Sequence, residues 1–305
     1  MIDLRSDTCA PPTEEMWAAL RSGGEESVAE LERRGAELLG KEAALFAPTC
    51  TAANLVAVLA LSAPGERVAV DERAHVVVNE GDWLTELARL VPVPLGEEAE
   101  VACLENTHTR RGGTVLPVDE TAALASRYAR THLDGARLAN AAVALGVPLA
   151  ALAAPVDTVA LSLNKGLGAP YGALLAGEAA VVERARALLV RVGGGTVHRA
   201  GMLAAAGIVA LGLVDRLAED HRRARRLAEL LGLPAPATNI VLTGLPASSL
   251  GALAARGVLA LAPDGERVRL VTHRGVSDAD VERAAAAAAA TYPGRRRRSS
   301  RTRRA

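Results

Sequence analysis

Short apolar runs alternate with helical stretches through most of this chain, and that alternation limits the fold more than any other feature. Arg67-Val68-Ala69-Val70, Val101-Ala102-Cys103-Leu104 and Thr158-Val159-Ala160-Leu161 read as strands. They are nearly continuous in apolar residues, which suits strands covered on both faces. Leu31–Leu39, Thr51–Leu59, Glu120–Arg130 and Asn140–Leu145 read as helices, and Ala43-Ala44-Leu45-Phe46 is a short apolar run ahead of Pro48. The pattern predicts an α/β fold with a mostly parallel sheet covered by helices. From about Gly201 it changes. A long helical stretch, Ala204–Leu231, leads to a smaller α+β segment with strands at Ile240-Val241-Leu242 and Val268-Arg269-Leu270-Val271, closed by a helix containing the alanine run Ala284–Ala290. The expected organisation is a large α/β domain over residues 1–200, a long helix and small C-terminal α+β domain over 201–293, and a disordered arginine-rich tail over 294–305.

The charge distribution narrows the function classes. Lys+Arg and Asp+Glu both total 35, but seven arginines lie between Arg295 and Arg304. The body is therefore mildly acidic and offers no basic groove for nucleic acid. The tail itself reads as solvated disorder and leaves only weak attachment to nucleic acid or an acidic partner open. Cys9, Cys50 and Cys103 are scattered and odd in number, which argues against a disulfide framework. There is no apolar signal core at the N-terminus and no apolar run long enough to span a bilayer. A soluble cytoplasmic protein is expected.

Of the 35 basic residues only Lys41 and Lys165 are lysines. Arginine cannot do amine chemistry, whereas a desolvated lysine can. Lys165 sits in Ser162-Leu163-Asn164-Lys165-Gly166-Leu167-Gly168-Ala169-Pro170, an apolar, glycine-rich setting. Other segments carry polar residues where a ligand crevice is expected. Thr131-His132-Leu133-Asp134-Gly135-Ala136-Arg137 follows a strand, and carboxyl ends of parallel strands face the crevice. The alternative is a surface Asp–Arg pair. Leu104-Glu105-Asn106-Thr107-His108 follows another strand, and His108 reads equally as an acid–base group or a loop histidine. His75 has the same ambiguity. Pro48-Thr49-Cys50-Thr51 opens a helix, where free N–H groups suit a phosphate and ordinary N-capping is the simpler reading. Gly35-Ala36-Glu37-Leu38-Leu39-Gly40-Lys41 has P-loop spacing, but Glu42 follows where Ser or Thr is needed and no strand precedes it, so nucleotide triphosphate binding is rejected.

Taken in order, these motifs resemble the low-specificity L-threonine aldolases of the aromatic amino acid β-eliminating lyase/threonine aldolase group, which are fold-type I pyridoxal-phosphate enzymes. The likeness runs from Asp3-Leu4-Arg5-Ser6-Asp7-Thr8 to about Val276-Ser277. It is densest at His132–Ala144, with Leu104–His108, Lys165–Pro170 and Arg269-Leu270-Val271-Thr272-His273 in support. The resemblance implies pyridoxal 5'-phosphate as cofactor and no metal. It implies Lys165 as the Schiff-base lysine, Asp134 against the pyridinium nitrogen, His75 on the ring face, and Cys50 with Thr51 at the phosphate. Ser6, Arg137 and Arg269 match the groups holding the substrate carboxylate, and His108 the histidine near the substrate hydroxyl. His75 and His108 join Lys165 as the implied catalytic set.

The implied activity is retro-aldol cleavage of L-threonine or a related β-hydroxy-α-amino acid to glycine and an aldehyde, in a homodimer or homotetramer. Alternatives are another reaction of the same cofactor (β-elimination, transamination or aldol synthesis) and a weakly active or non-catalytic paralogue. The chain departs from the family pattern in places. The Arg21–Ser27 loop is shorter and has no tyrosine, Cys50 stands in place of a glycine, and Asn164 in place of a serine. The segments at Pro94–Val101 and Pro117–His132 are shortened, and the arginine expected in the family's Gly-Gly-Gly-Met-Arg-Gln-like stretch aligns with His198 unless a gap shifts Arg199 into place, a role left open.

Overall fold

The structure is a computed structural model describing residues 1–195 and 197–292. The arginine-rich tail expected over 294–305 lies outside the described residues. The strands are β1 (Ile2–Asp3), β2 (Ala43–Ala47), β3 (Arg67–Val70), β4 (Val91–Pro94), β5 (Val101–Glu105), β6 (Arg130–Asp134), β7 (Thr158–Ser162), β8 (Ala173–Gly177), β9 (Ile240–Pro246), β10 (Val258–Leu259) and β11 (Arg267–Val271). A seven-stranded sheet runs in the order β2-β8-β7-β6-β5-β3-β4. From β7 to β4 all pairings are parallel, and β8 is antiparallel to both of its neighbours. The expected α/β class and mostly parallel sheet are what the chain forms. Among the described residues no helix is long and apolar enough to cross a membrane.

The central strands are buried on both faces, as their continuous apolar runs require. Every residue of β7 and β8 is buried. β4 carries Pro92 and Pro94 and lies at the sheet edge, where a missing N–H is tolerated. The helical reading of Glu120–Arg130 overshoots. The helix is Val118–Ala125, and Arg130 already belongs to β6, pairing with Val101. The Ala204–Leu231 stretch is also broken, into Ala200–Leu211 and Leu217–Leu231, with Gly212 as the cap between them.

The apolar residues of Ala204–Leu231 divide between two clusters. Ala204, Ala206, Ala210 and Leu217 pack into the sheet's core, while Ala224, Leu227, Ala228 and Leu231 pack with the C-terminal strands. The helix Leu217–Leu231 thus packs at its start with one cluster and along the rest of its length with the other. The N-terminus also crosses over. β1 pairs in parallel with β10, and Ile2 and Leu4 sit in the C-terminal core. The shortened Arg21–Ser27 connection closes against helix Ala200–Leu211, so tightly that a Cβ on Gly201 would stand 1.8 Å from the Gly24 carbonyl oxygen.

The rejected P-loop frame serves packing. Gly40 ends helix Glu26–Leu39 in the left-handed conformation at φ 62°, a natural glycine cap. Lys41 Nζ donates to the Val156 carbonyl at 2.5 Å, so this second lysine is structural. Gly35 brings the helix against β8: a Cβ there would stand 2.5 Å from Leu174 Cδ1, and Leu174 is fully buried. Helix propensity alone favours Gly→Ala by about 1 kcal/mol. Overpacking a filled core costs about 1–3 kcal/mol. We expect Gly35→Ala to lower the thermal unfolding midpoint despite its better propensity, and Leu174→Val to recover part of the loss in the double variant.

Candidate active site

The parallel strands end along one edge of the sheet, and the chemistry gathers there. β3 is followed by Asp71, β5 ends at Glu105, β6 at Asp134, and β7 at Ser162, three residues before Lys165. Ser162 Oγ accepts from the Asn164 and Lys165 N–H groups, which shapes the lysine turn. Arg274 braces that turn from the C-terminal unit, donating to the carbonyls of Leu167 and Pro11. The Lys165 charge lies close enough to Asp7 and Cys50 to favour their ionised forms.

Asp134 is 2% exposed. Its Oδ1 accepts from the Ala136 N–H at 3.1 Å and faces the Cys50 thiol at 3.9 Å, leaving Oδ2 open. Gly135 is needed behind it, because a Cβ there would meet the Ala160 carbonyl oxygen at 2.6 Å. Cys50 and Thr51 open helix Cys50–Leu61, capped by Thr49, whose hydroxyl accepts from the Ala52 N–H. The N–H groups of Cys50 and Thr51 lie in the first turn, where helices leave donors free. Cys50 needs no left-handed backbone, since among the described residues only Arg89 and Arg199 combine a side chain with positive φ. Burial, then Asp134, push the Cys50 thiol well above its ordinary range, so it is a neutral group.

His75 begins the short helix His75–Val78. Its N–H donates to Glu105 Oε2, and its Nδ1 meets Glu80 Oε1, both at 2.8 Å. Ligating atoms of His75, Glu80 and Asp134 lie within 4.8 Å of one another. His108 is 9% exposed, and both of its ring nitrogens are buried without a hydrogen bond. Its Nε2 stands 3.7 Å from Asp71 and 3.9 Å from Glu105, beyond hydrogen-bond range. Burial, then Asp134, push the pKa of the Glu105 carboxyl up, and that carboxyl stands beside His108.

Two arginines are buried in the same region, and they differ in kind. Arg137, 4% exposed, pairs bidentately with Asp7, which is fully buried, at 2.8 and 2.7 Å. Its Nη1 donates to Thr109, and Asn239 and Ser6 add donors to Asp7. Burial alone would raise the Asp7 carboxyl; the Arg137 charge and hydrogen bonds outweigh it and hold the group well below the usual carboxylate range. Among the described residues Arg269 has no hydrogen-bonded acidic partner. It is 6% exposed, donates once, to the Arg5 carbonyl, and leaves Nε buried and unpaired. Burial, then the like charge of Arg137, lower its pKa to about 10. A guanidinium so placed calls for an anion.

The structure therefore brings Lys165, Asp134, Cys50, Thr51, His75, His108, Ser6, Arg137 and Arg269 to one end of the sheet. His198 and Arg199 are exposed and, among the described residues, make no hydrogen bond to these groups. In the sequence Asp7 and Glu105 stand out only as parts of longer motifs, and Glu80 and Asp71 carry no site motif. The one local signal for Glu80 is an acid set between the apolar Val76–Val78 and Trp83–Leu84.

The chain is similar to known proteins along most of its length. Residues 3–100 and 95–241 match the Beta-eliminating lyase family. The chain is 35% identical to a probable low-specificity L-threonine aldolase 2 of Arabidopsis thaliana, over 92% of this chain and 94% of that one. It is also 35% identical to the low specificity L-threonine aldolase of Escherichia coli K12, over 94% and 98%. Among solved structures, a Leishmania major threonine aldolase superposes with a TM-score of 0.79 at 20% identity, over 96% of this chain and all of that one.

The two arginines predict opposite effects on stability. Asp7→Asn leaves Arg137 buried without a counter-charge and is expected to cost about 3–5 kcal/mol in urea unfolding. Because Asp7 titrates below its ordinary 3.8 when folded, the pair's contribution is complete above that pH and is lost as pH falls further. Arg269→Met removes a charge that has no partner. It is expected to raise the unfolding midpoint of the ligand-free protein while raising KM for a carboxylate substrate by about tenfold or more.

Proposed function

The chain belongs to the beta-eliminating lyase family, and we propose that it is a pyridoxal-phosphate-dependent lyase that cleaves L-threonine or a related β-hydroxy-α-amino acid to glycine and an aldehyde. One observation carries the reading beyond the family: a buried guanidinium without an anion, Arg269, at the strand-end edge that also holds an amine at Lys165 and a buried carboxylate at Asp134. The donor set fits the cofactor. Asp134 Oδ2 would accept a hydrogen bond from the protonated ring nitrogen and keep it protonated, the first-turn N–H groups at Cys50 and Thr51 would take the phosphate, His75 would face the ring, and Lys165 would supply the amine. When bound, the cofactor supplies the electron sink for the carbanion left by carbon–carbon cleavage.

The protein's residues do the rest. Arg269 binds the substrate carboxylate, with the outward N–H groups of Arg137 and the Ser6 hydroxyl beside it. Arg137 is neutralised by Asp7, so it orients without adding net charge. That arrangement fixes the amino acid and so sets which bond to Cα is presented for cleavage. His108 is unpaired and able to take the β-hydroxyl proton, directly or through a water. Its neighbour Glu105 offers a route to pass that proton on. Cys50 places a small neutral thiol at the phosphate turn, which ordinary helix-start backbone accommodates. The three free thiols fit a reducing, cytoplasmic setting, and a homodimer or homotetramer follows from the family likeness.

The test is spectroscopic and then chemical. Protein saturated with pyridoxal phosphate is expected to show visible absorbance that is absent in Lys165→Ala, and to release acetaldehyde from L-threonine. If the loaded protein shows the absorbance but releases no aldehyde from any β-hydroxy amino acid, the lyase reading fails and β-elimination or transamination takes its place.

A further inference from the structure

His75 is held by a carboxylate that the proposed chemistry leaves unused. The Glu80 side chain is 1% exposed and has three nitrogen neighbours: His75 Nδ1 at 2.8 Å, Asn54 Nδ2 at 3.1 Å and Trp83 Nε1 at 3.2 Å. Behind it a buried chain of hydrogen bonds crosses to β7. Asn54 Oδ1 faces His132 Nε2 at 3.0 Å, and His132 Nδ1 faces Thr158 Oγ1 at 2.9 Å.

The direction of every bond in this chain follows from its two ends. Trp83 Nε1 is a donor only, and Glu80, whose two oxygens face three nitrogens, is read as the acceptor at each. Asn54 must therefore turn its NH2 to Glu80, since the reverse would set its carbonyl oxygen against the carboxylate. Its Oδ1 then requires a proton on His132 Nε2. Burial lowers the His132 pKa to about 4, so the ring is neutral and that is its single ring proton. His132 Nδ1 accepts from the Thr158 hydroxyl. At the other end, Glu80 can only accept from His75.

We propose that Glu80 is a positioning residue that fixes His75 with its Nδ1 protonated, leaving Nε2 as the nitrogen available to cofactor and substrate. The Glu105 carboxylate pins the His75 main chain while Glu80 orients the ring, so two buried acids set one imidazole. The inference rests on the reading of His75 as the imidazole that faces the cofactor, but its test is independent of turnover.

The test reads the proton positions of the six histidines in the 15N-labelled, cofactor-loaded enzyme by long-range 1H–15N spectra, with His75 assigned through His75→Asn and His132 through His132→Gln. In the wild type, His75 Nδ1 is expected to carry a proton and His132 to carry its proton on Nε2. Glu80→Gln is isosteric and has a specific consequence. Its amide avoids a donor–donor contact with Trp83 only by accepting there, which turns its two N–H bonds toward His75 and Asn54. Asn54 then reverses, and both His75 and His132 exchange tautomers. The affinity of the apoprotein for pyridoxal phosphate is expected to fall about tenfold with the lost charge. A bare His75 Nδ1 in the wild type overturns the proposal, as does a folded Glu80→Gln variant in which neither ring changes tautomer. A failure here leaves the lyase reading intact, because acetaldehyde release measures that separately.

Discussion

Two guanidiniums are buried where the N-terminal segment, the large sheet and the C-terminal strands meet, and one carboxylate serves them. Asp7 neutralises Arg137 through two short hydrogen bonds across 130 residues of sequence. Arg269 is left with a carbonyl and an unpaired Nε. Burial of a charge is costly unless it is paired, so this imbalance is a standing penalty on the ligand-free fold. In the proposed function the same imbalance makes the crevice selective for a carboxylate. A site built from two neutralised pairs would fold more comfortably and bind an anion poorly.

The rest of the structure is arranged to keep that charge where it is. β1 threads beside β10, so Ser6 and Asp7 reach the ends of the parallel strands from the C-terminal unit. β11 carries Arg269, and its Val271 N–H donates to the Leu4 carbonyl, tying the arginine's strand to the same segment. The Lys165 turn is held by Ser162 on one side and Arg274 on the other. The cationic groups therefore belong to different parts of the chain.

Sequence alone made part of this visible, and the division has physical causes. β3, β5 and β7 are continuous apolar runs, which leave few alternatives inside an α/β chain. β8 went unread because Ala173-Leu174-Leu175-Ala176-Gly177 has no β-branched residue and carries the composition of a helix; only its place between β2 and β7 makes it a strand. Lys165 was legible because lysine is scarce here, and Asp134 because it ends a strand. The partners were not. Asp7 with Arg137, and Glu80 with His75 and Asn54, are pairings made by the fold, so local spacing carries no trace of them. The departure at Cys50, conspicuous in sequence, proved simple in structure: the residue starts a helix in ordinary backbone and lays its thiol toward Asp134.

The claim on which all this turns is that Arg269, not Arg137, supplies the charge that receives the substrate carboxylate. A crystal structure of the cofactor-loaded enzyme with glycine bound tests it most directly. The glycine carboxylate is expected on the Arg269 guanidinium, engaging its Nε, with the Asp7–Arg137 pair intact. A carboxylate bound bidentately to Arg137, with Asp7 displaced and Arg269 Nε still unpaired, would contradict it.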